Sequence, residues 1–307
     1  MDGPFHAGER EIQRRAGVLE EADAVGRTLR STLPDGFERF LGRQRLAVAS
    51  SLDQGGRVWA SLLTGPPGFL QRVDPQLLRI AAQPMAADPL ADDLQSRPEL
   101  GLLVLDPGTR QRARCNGRAI RNADGIFLQV EQVYGNCPKY IQRRELEAVV
   151  ASATAGPSRV SSRLDASQRA AVARADTFFI ASFHPAGGAD ASHRGGRPGF
   201  VRVVGPRRLA FADYPGNRMF NTLGNLLVYP RAGLLFLDFE RGHVLQLTGR
   251  TRVGPDRAVR FDIEEAREAP GGSPLRYRLL EPSPSCPPLS QEQGGGISSS
   301  EPDRSRQ

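Results

Sequence analysis

Two segments of this 307-residue sequence gather side chains able to hold an anion. The first, 190-DASHRGGRPGFVRV-203, sets Ser192, His193, Arg194 and Arg197 among glycines that permit close backbone approach, with Gly199 and Phe200 leading into a strand. A glycine-rich hairpin with exposed arginines fits the same composition. In the second, 214-YPGNRMFNTLGNLLVYP-230, Gly216 and Asn217 predict a helix start whose free N–H groups favour phosphate. Asn217, Asn221, Thr222 and Asn225 follow at roughly helical spacing, with Arg218 beside them. The apolar Met219, Phe220, Leu223 and Leu226 read as the core face of that helix.

A third candidate is a single residue. Lys139 is the one lysine beside forty arginines, a skew that fits coding bias and draws attention to the exception. Asn136, two residues before Pro138, predicts a helix over about 138–151 with Lys139 in its first turn, where the dipole favours an anion. An exposed first-turn lysine is the plain alternative. Cys137 sits at the same helix start, although free cysteines are usually inert.

Conventional catalytic machinery is missing from the sequence. The four histidines (His6, His184, His193, His243) show no metal-ligand spacing, and the three cysteines (Cys115, Cys137, Cys286) form no CxxC pair. No nucleophile elbow, Walker A loop or dinucleotide fingerprint occurs. Carboxylate pairs such as Asp92-Asp93 and Glu264-Glu265 are sequence neighbours, which point apart and are expected to be solvated. No catalytic acid or base is identified, so any redox or transfer chemistry calls for a bound cofactor.

The formal charge of +7 arises in residues 151–281, which hold 19 basic and 12 acidic groups. Those arginines alternate with glycine and apolar residues and lack interleaved aromatics, which speaks against nucleic acid and for a small anionic ligand. No apolar run is long enough to cross a membrane and no leader is visible at Met1–His6. A reduced cytoplasmic location is expected.

The chain resembles itself. The string 46-LAVAS-50 recurs as 178-FFIAS-182, 60-ASLLTGPPGF-69 as 191-ASHRGGRPGF-200, and 77-LLRI-80 as 208-RLAF-211. Likewise 98-PELGLLVLD-106 recurs as 230-PRAGLLFLD-238 and 116-NGR-118 as 248-TGR-250, all at offsets of 131 or 132. This order indicates a tandem duplication of a unit of about 105 residues. Each unit predicts six strands: 46–52, 57–64, 77–82, 100–106, 111–121 and 126–134, then 176–183, 199–205, 208–213, 233–239, 243–253 and 258–265. One helix follows the third strand of each, near 88–96 and 217–229, the first with Asp88 as cap. Residues 7–27 and 35–44 read as helices of an N-terminal segment over 1–45. The domains are 46–151 and 164–281, with a linker at 152–163 and a disordered tail at 282–307.

The order of elements around 216-GNRMFNTLGNLLVYPRAGLLFLD-238 resembles the pyridoxamine 5′-phosphate oxidase-like family of FMN-binding split barrels. The string 131-EQVYGNCPKYIQRR-144 also resembles a piece found in branches of that family. The resemblance spans roughly residues 35–281. It implies a mainly β protein with flanking helices: two tandem split β-barrels of the FMN-binding type packed as a pseudo-dimer, monomeric or further paired as a homodimer. It implies FMN as cofactor and oxidoreductase chemistry on a small-molecule substrate. Asn217, Arg218, Asn221 and Thr222 are then expected at the phosphate, and residues from Ser192 to Phe200 along ring and ribityl. Lys139, with Tyr134, would reach across from the first unit. The first unit departs from this at Asp88, Asp92 and Asp93, where carboxylates repel phosphate. Similar barrels hold haem or deazaflavin, so a protein that binds a cofactor without turnover is the alternative.

Overall fold

Ahead of the first sheet lie α1 (Ala7–Arg15), α2 (Leu19–Gly26) and α3 (Phe37–Leu41) in the computed structural model, which describes residues 3–85, 88–135, 137–150 and 158–289. The continuous helix expected over 7–27 is interrupted at Gly17, whose φ of 68° suits glycine and breaks the helical path. The helix expected over 35–44 shortens to α3, ended at Gly42.

The first unit then forms β1 (Leu46–Leu52), β2 (Val58–Thr64), β3 (Leu70–Arg72), β4 (Leu77–Ile80), α4 (Leu90–Ser96), β5 (Glu99–Asp106), β6 (Gln111–Asn122), β7 (Gly125–Gly135) and β8 (Arg143–Val149). After β9 (Arg159–Ser161) and α5 (Ala166–Arg174) come β10 (Thr177–His184), β11 (Gly188–Gly195), β12 (Val201–Gly205), β13 (Arg208–Phe211) and α6 (Asn221–Val228). The chain continues through β14 (Arg231–Leu237), β15 (Val244–Val253), β16 (Val259–Ala269) and β17 (Leu275–Glu281).

The protein is mainly β, in antiparallel sheets that do not close. The first sheet runs β2-β1-β5-β6-β7-β4-β3 and the second β11-β10-β14-β15-β16-β13-β12, which is the same order. Each has seven path strands rather than six. The three-residue β3 is too short to show a period, and β11 was hidden in a segment read as a loop.

Strand pairing fixes the equivalences between the sheets. Val48 faces Leu62 and Leu103, while Phe179 faces His193 and Leu235. Position 48 therefore corresponds to 179, and 46–50 corresponds to 177–181, not to 178–182. A shift of one residue exchanges the two faces of a strand, so matching Ala-Ser letters were a false guide there. The other four matched strings fall on equivalent positions, including a shared bulge at Asn116/Gly117 and Thr248/Gly249.

Facing follows from that register. Ala47 and Ala49 of β1 and Leu100, Leu102 and Val104 of β5 enter the core of the first sheet. Phe178, Ile180, Leu234 and Phe236 enter that of the second. The alternate residues Val48, Leu52, Leu103, Phe179, Phe183 and Leu235 meet in a third core between the sheets. Burial on both faces explains the continuous apolar runs, each large side chain contributing about 1.5–3 kcal/mol. Gly101 and Gly233, equivalent positions, let the units touch: a Cβ on Gly101 would lie 2.6 Å from Asp190, and one on Gly233 2.6 Å from Ala60.

Several expectations are corrected. Residues 143–149 form a strand, not part of a helix over 138–151, because β8 pairs antiparallel with β17 and its helix-forming composition yields to that ladder. Asn136, the expected cap, lies outside the described residues. Part of the linker, 159–161, pairs with β16; residues 151–157 lie outside the description, as do 290–307 of the tail. Within 282–289 the chain is anchored at two points: the Ser283 N–H donates to Gln142 Oε1 at 2.7 Å and Cys286 is buried. Helix α5 carries a capping box, Asp165 with Gln168, whose Asp-x-x-Gln spacing the sequence displays. Among the described residues no helix is long and apolar enough to cross a membrane.

Candidate functional site

Alternation along β6 places Arg112, Arg114 and Asn116 on one face, opposite Cys115 in the core. That face meets β11 and the start of α6, so the first and second units build one polar site. Arg114 reaches Ser192 Oγ in a very short contact, donates to Tyr134 Oη at 3.0 Å, and lies 3.4 Å from Asp190 Oδ2. It also donates to Asn221 Oδ1 at 3.4 Å. Tyr134 donates its hydroxyl to Asp190 Oδ2 at 3.0 Å, and Thr222 donates to Ser192 Oγ at 3.0 Å.

Arg112 differs from its neighbour. It donates to the Cys137 carbonyl at 2.7 Å and to His193 Nδ1 at 3.4 Å, and meets no carboxylate among the described residues. Burial, with Arg114 and Arg194 close by, lowers its pKa to about 9. Arg194 is paired at 3.6 Å with Asp213, which also meets Arg257. Burial and the surrounding arginines hold His193 well below the usual histidine range, hence neutral. Because its Nδ1 accepts from Arg112, Nε2 carries the hydrogen and has no partner among the described residues. Arg112 Nε, Arg114 Nε, Asn116 Oδ1 and Asp190 Oδ1 are likewise buried and unpaired. Native interiors leave few such groups, and their clustering along β6 and β11 singles this region out as the candidate site.

Two cavities meet at Arg112. A small one of about 60 Å³ is walled by Arg114, His193, Arg194, Phe200, Tyr140 and Tyr214. A larger one of about 600 Å³ lies between α3 and strands β6 and β7, against Phe37, Phe40, Val133 and Tyr134. Backbone strain surrounds the small cavity: Tyr140, Arg218 and Phe220 have φ values of 68°, 64° and 61°. Those last two residues delay α6, which starts at Asn221 and not at Gly216–Asn217 as expected.

The structure gathers part of the expected set. Ser192, His193, Arg194, Asn221 and Thr222 converge on Arg114. Asn217 and Phe200 line the small cavity, and Gly199 takes φ 96° in the turn before β12. Asn225 donates to Ser182 Oγ at 3.0 Å and accepts from His6 Nε2 at 2.9 Å. Arg197 is exposed, and Arg218 is exposed and paired with Glu21 at 3.2 Å. Lys139 is exposed on a turn between Pro138 of the large cavity and Tyr140 of the small one, not in a helix. Arg112, Arg114, Asp190 and Glu9 were missed. For the arginines the signal was the Arg-x-Arg-x-Asn alternation of β6.

Helix α1 caps this arrangement. Gly8 and Gly224 cross so closely that a Cβ on Gly224 would lie 2.6 Å from the Glu9 backbone. Glu9 accepts from Asn221 Nδ2 at 2.6 Å and from the His6 N–H at 2.8 Å. Its pKa rises to about 7, chiefly through burial, with Asp190 adding to it.

The position equivalent to the Arg114–Ser192 contact is filled, although a cavity of about 370 Å³ lies at the mate of the large one. Ser61 donates to Asp88 Oδ1 at 2.6 Å and Gln246, the counterpart of Arg114, donates to Asp88 Oδ2 at 2.8 Å. Burial raises Asp88 to about 6. Asp93 is buried against Ser51 at 2.6 Å rather than solvated as expected. Trp59, paired with Ser51 as Asp190 is with Ser182, takes the remaining space. Among the described residues no group of three metal ligands forms.

No curated protein sequence matches the chain. Among solved structures, one titled "F420 Reductase" aligns at 14% identity over 34% of this chain and 97% of that one, with a TM-score of 0.21. Another, titled "MrkH, A novel c-di-GMP dependence transcription regulatory factor", aligns at 11% over 83% and 86%, with a TM-score of 0.23. Superpositions at that level establish no shared architecture. A family model described as Pyridoxamine 5'-phosphate oxidase matches residues 164–274, from the residue before the α5 cap to the end of the second sheet. The second unit thus carries the sequence pattern of the pyridoxamine 5′-phosphate oxidase-like family.

Proposed function

We propose that the protein is an FMN-binding flavoprotein and an FMN-dependent oxidoreductase acting on a small molecule. Arg112 is the observation that carries this reading: an arginine without a carboxylate, among unpaired buried donors, joining a cationic recess to an aromatic cavity. That donor set fits a flavin phosphate, since Arg112, Arg114 and Arg194 offer charge-assisted hydrogen bonds and Ser192 and Thr222 offer hydroxyls. The cavity of about 600 Å³ has the size of a cofactor pocket, and Phe37, Phe40 and Tyr134 supply faces for a planar ring. When bound, FMN supplies hydride transfer through its ring. The arginines neutralise the phosphate, α3 excludes water from the ring, and Arg112 sets positive charge between the two. Asn217 and Lys139 stand at the rim.

The same strand order, register and bulge in both sheets support a tandem duplication whose halves, 46–151 and 164–281, pack as a pseudo-dimer of split barrels. A cavity of about 370 Å³ also lies at the mate of the large one, against α5, Arg241, His243 and Glu268, but Asp88, bonded to Ser61 and Gln246, closes the mate of the arginine cluster, so one flavin phosphate site per chain follows.

A second reading has its own observation. Among the described residues the lining of the large cavity contains no histidine and no carboxylate, so none of them offers a substrate a proton donor of ordinary pKa there. This favours a protein that holds flavin, deazaflavin or haem without turnover. An absorbance spectrum of purified protein and an FMN titration of the apo-form test binding. Stopped-flow reduction by NADH or NADPH then separates the two: reduction and reoxidation by a small acceptor support the enzyme, inertness the binder. A colourless protein that ignores FMN removes both.

A further inference from the structure

The outer face of the second sheet carries two rows of charged side chains, one balanced and one not. Leu209, Phe211, Val259 and Phe261 point into the core, so Arg208, Ala210, Arg260 and Asp262 point outward. Strand register then fixes what stands beside what. In the first row Asp262 of β16 pairs with Arg208 of β13 and Arg250 of β15, and Arg250 pairs with Arg231 of β14. Every cation there is answered. Arg208 meets Asp262 at 2.6 Å, while Glu264 meets Arg250 at 2.9 Å and Arg231 at 3.0 Å.

The neighbouring row, two residues along each strand, holds no carboxylate. Arg252 of β15 pairs with Arg260 of β16, Arg260 with Ala210 of β13, and Ala210 with Arg202 of β12. Among the described residues none of these three arginines has an ion pair or a side-chain hydrogen bond. Asp256, the acid of the adjoining turn, is spent on the Ala258 N–H at 3.1 Å. Arg252 is exposed, and Arg202 and Arg260 are half-buried. Like charges directly opposite each other destabilise a sheet, so the Arg252–Arg260 pair is a cost that folding does not explain. At about 4.8 Å between strands the row spans about 14 Å. Ala210, a single methyl between Arg202 and Arg260, leaves room for an anion between their guanidinium groups.

We propose that this row binds a linear inorganic polyphosphate, whose successive phosphates bridge Arg252 to Arg260 and Arg260 to Arg202. Guanidinium forks match phosphate oxygens two by two, and the ligand supplies the negative charge that Asp262 and Glu264 supply next door. A chain is called for because the three cations lie in a line and do not converge on one point. Neither row contains an aromatic side chain, so nothing there stacks a base, which favours a bare phosphate chain over nucleic acid. No residue of the row lines either cavity of the arginine cluster, so this inference does not rest on the flavin reading.

Calorimetric titration of the full chain with sodium tripolyphosphate tests this, with sodium sulfate at equal ionic strength as the control. Saturable binding is expected, weakened about tenfold or more in the double variant Arg252→Gln/Arg260→Gln and retained in Arg112→Ala. Because the free protein bears the like-charge pair, Arg260→Asp should abolish binding and yet raise the melting temperature above wild type. Binding unchanged in the double variant, binding lost in Arg112→Ala, an equal response to sulfate, or a lower melting temperature for Arg260→Asp overturns the proposal. A single-stranded oligonucleotide that binds more tightly than polyphosphate of equal charge also overturns it, and makes the face a nucleic-acid surface. FMN titration of the double variant should match wild type, which keeps a failure here separate from a failure of the flavin reading.

Discussion

Arg112 and Arg114 stand two residues apart on one strand and face the same site, yet their surroundings give them different roles. Arg114 is 5% exposed and paired with an equally buried Asp190, so removing it leaves a buried carboxylate alone. Arg114→Ala should cost about 3–5 kcal/mol, seen as a lowered urea midpoint; an unchanged midpoint would contradict the pairing. Glu9 gives a pH prediction. Its folded pKa, raised to about 7, means the folded state holds a proton that the unfolded state releases near 4.5. Its contribution is complete below about 4.5 and is lost as pH rises to about 7, on the order of 3 kcal/mol. Glu9→Gln, which keeps a capping-box side chain, should flatten that fall in urea titrations across the window. His6, lowered to about 4, acts in the opposite direction, so the comparison between the two proteins isolates Glu9. Parallel pH profiles would refute it. Ser192, His193, Asn221 and Thr222 were legible because polar groups clustered in short strings. Asp190 and Glu9 were not, since Asp190 acquires its role from Tyr134, Asn116 and Arg114, 56 to 76 positions away, and Glu9 from Asn221, 212 positions away.

Among elements, α1 shows how packing reverses a local preference. Alanine ordinarily stabilises a helix over glycine by up to about 1 kcal/mol. At Gly224 the added methyl would press into the Glu9 backbone at 2.6 Å. Gly224→Ala should therefore lower stability by about 1–3 kcal/mol and loosen α1, measured by thermal unfolding and amide exchange at Ile12 and Gln13. A neutral or stabilising effect would show that α1 does not seat as described. Most strands were legible from apolar runs and turn residues: β1, β2, β5, β6 and β7 lie within two residues of their expected bounds. The β8 segment was not, because Glu and Arg composition favours helix and its partner β17 lies over 120 residues downstream. Strand β11 was read as a loop for its glycines, yet Gly195 lies against the Tyr140 carbonyl and Gly188 turns at φ 76°.

The whole molecule is two similar sheets with unlike sites. Around the approximate two-fold relation, Arg114, Tyr134 and Asp190 on one side answer to Gln246, Arg267 and Trp59 on the other. One side keeps the arginine cluster, while the other closes that position with an indole and a buried carboxylate and retains a cavity of about 370 Å³ without such a cluster. The common strand order of the two sheets was foreshadowed by four of the five matched strings, and Asp88 already read as a poor partner for phosphate. That the candidate site draws Arg112 and Arg114 from the first unit was not visible, because only strand register brings β6 to β11. FMN titration of wild-type protein beside Arg112→Ala tests the central claim. The account predicts one FMN per chain for wild type and an affinity loss of about tenfold or more in the variant, with its melting temperature maintained. Equal affinity in the two proteins, two flavins per chain, or no binding by wild type would contradict it.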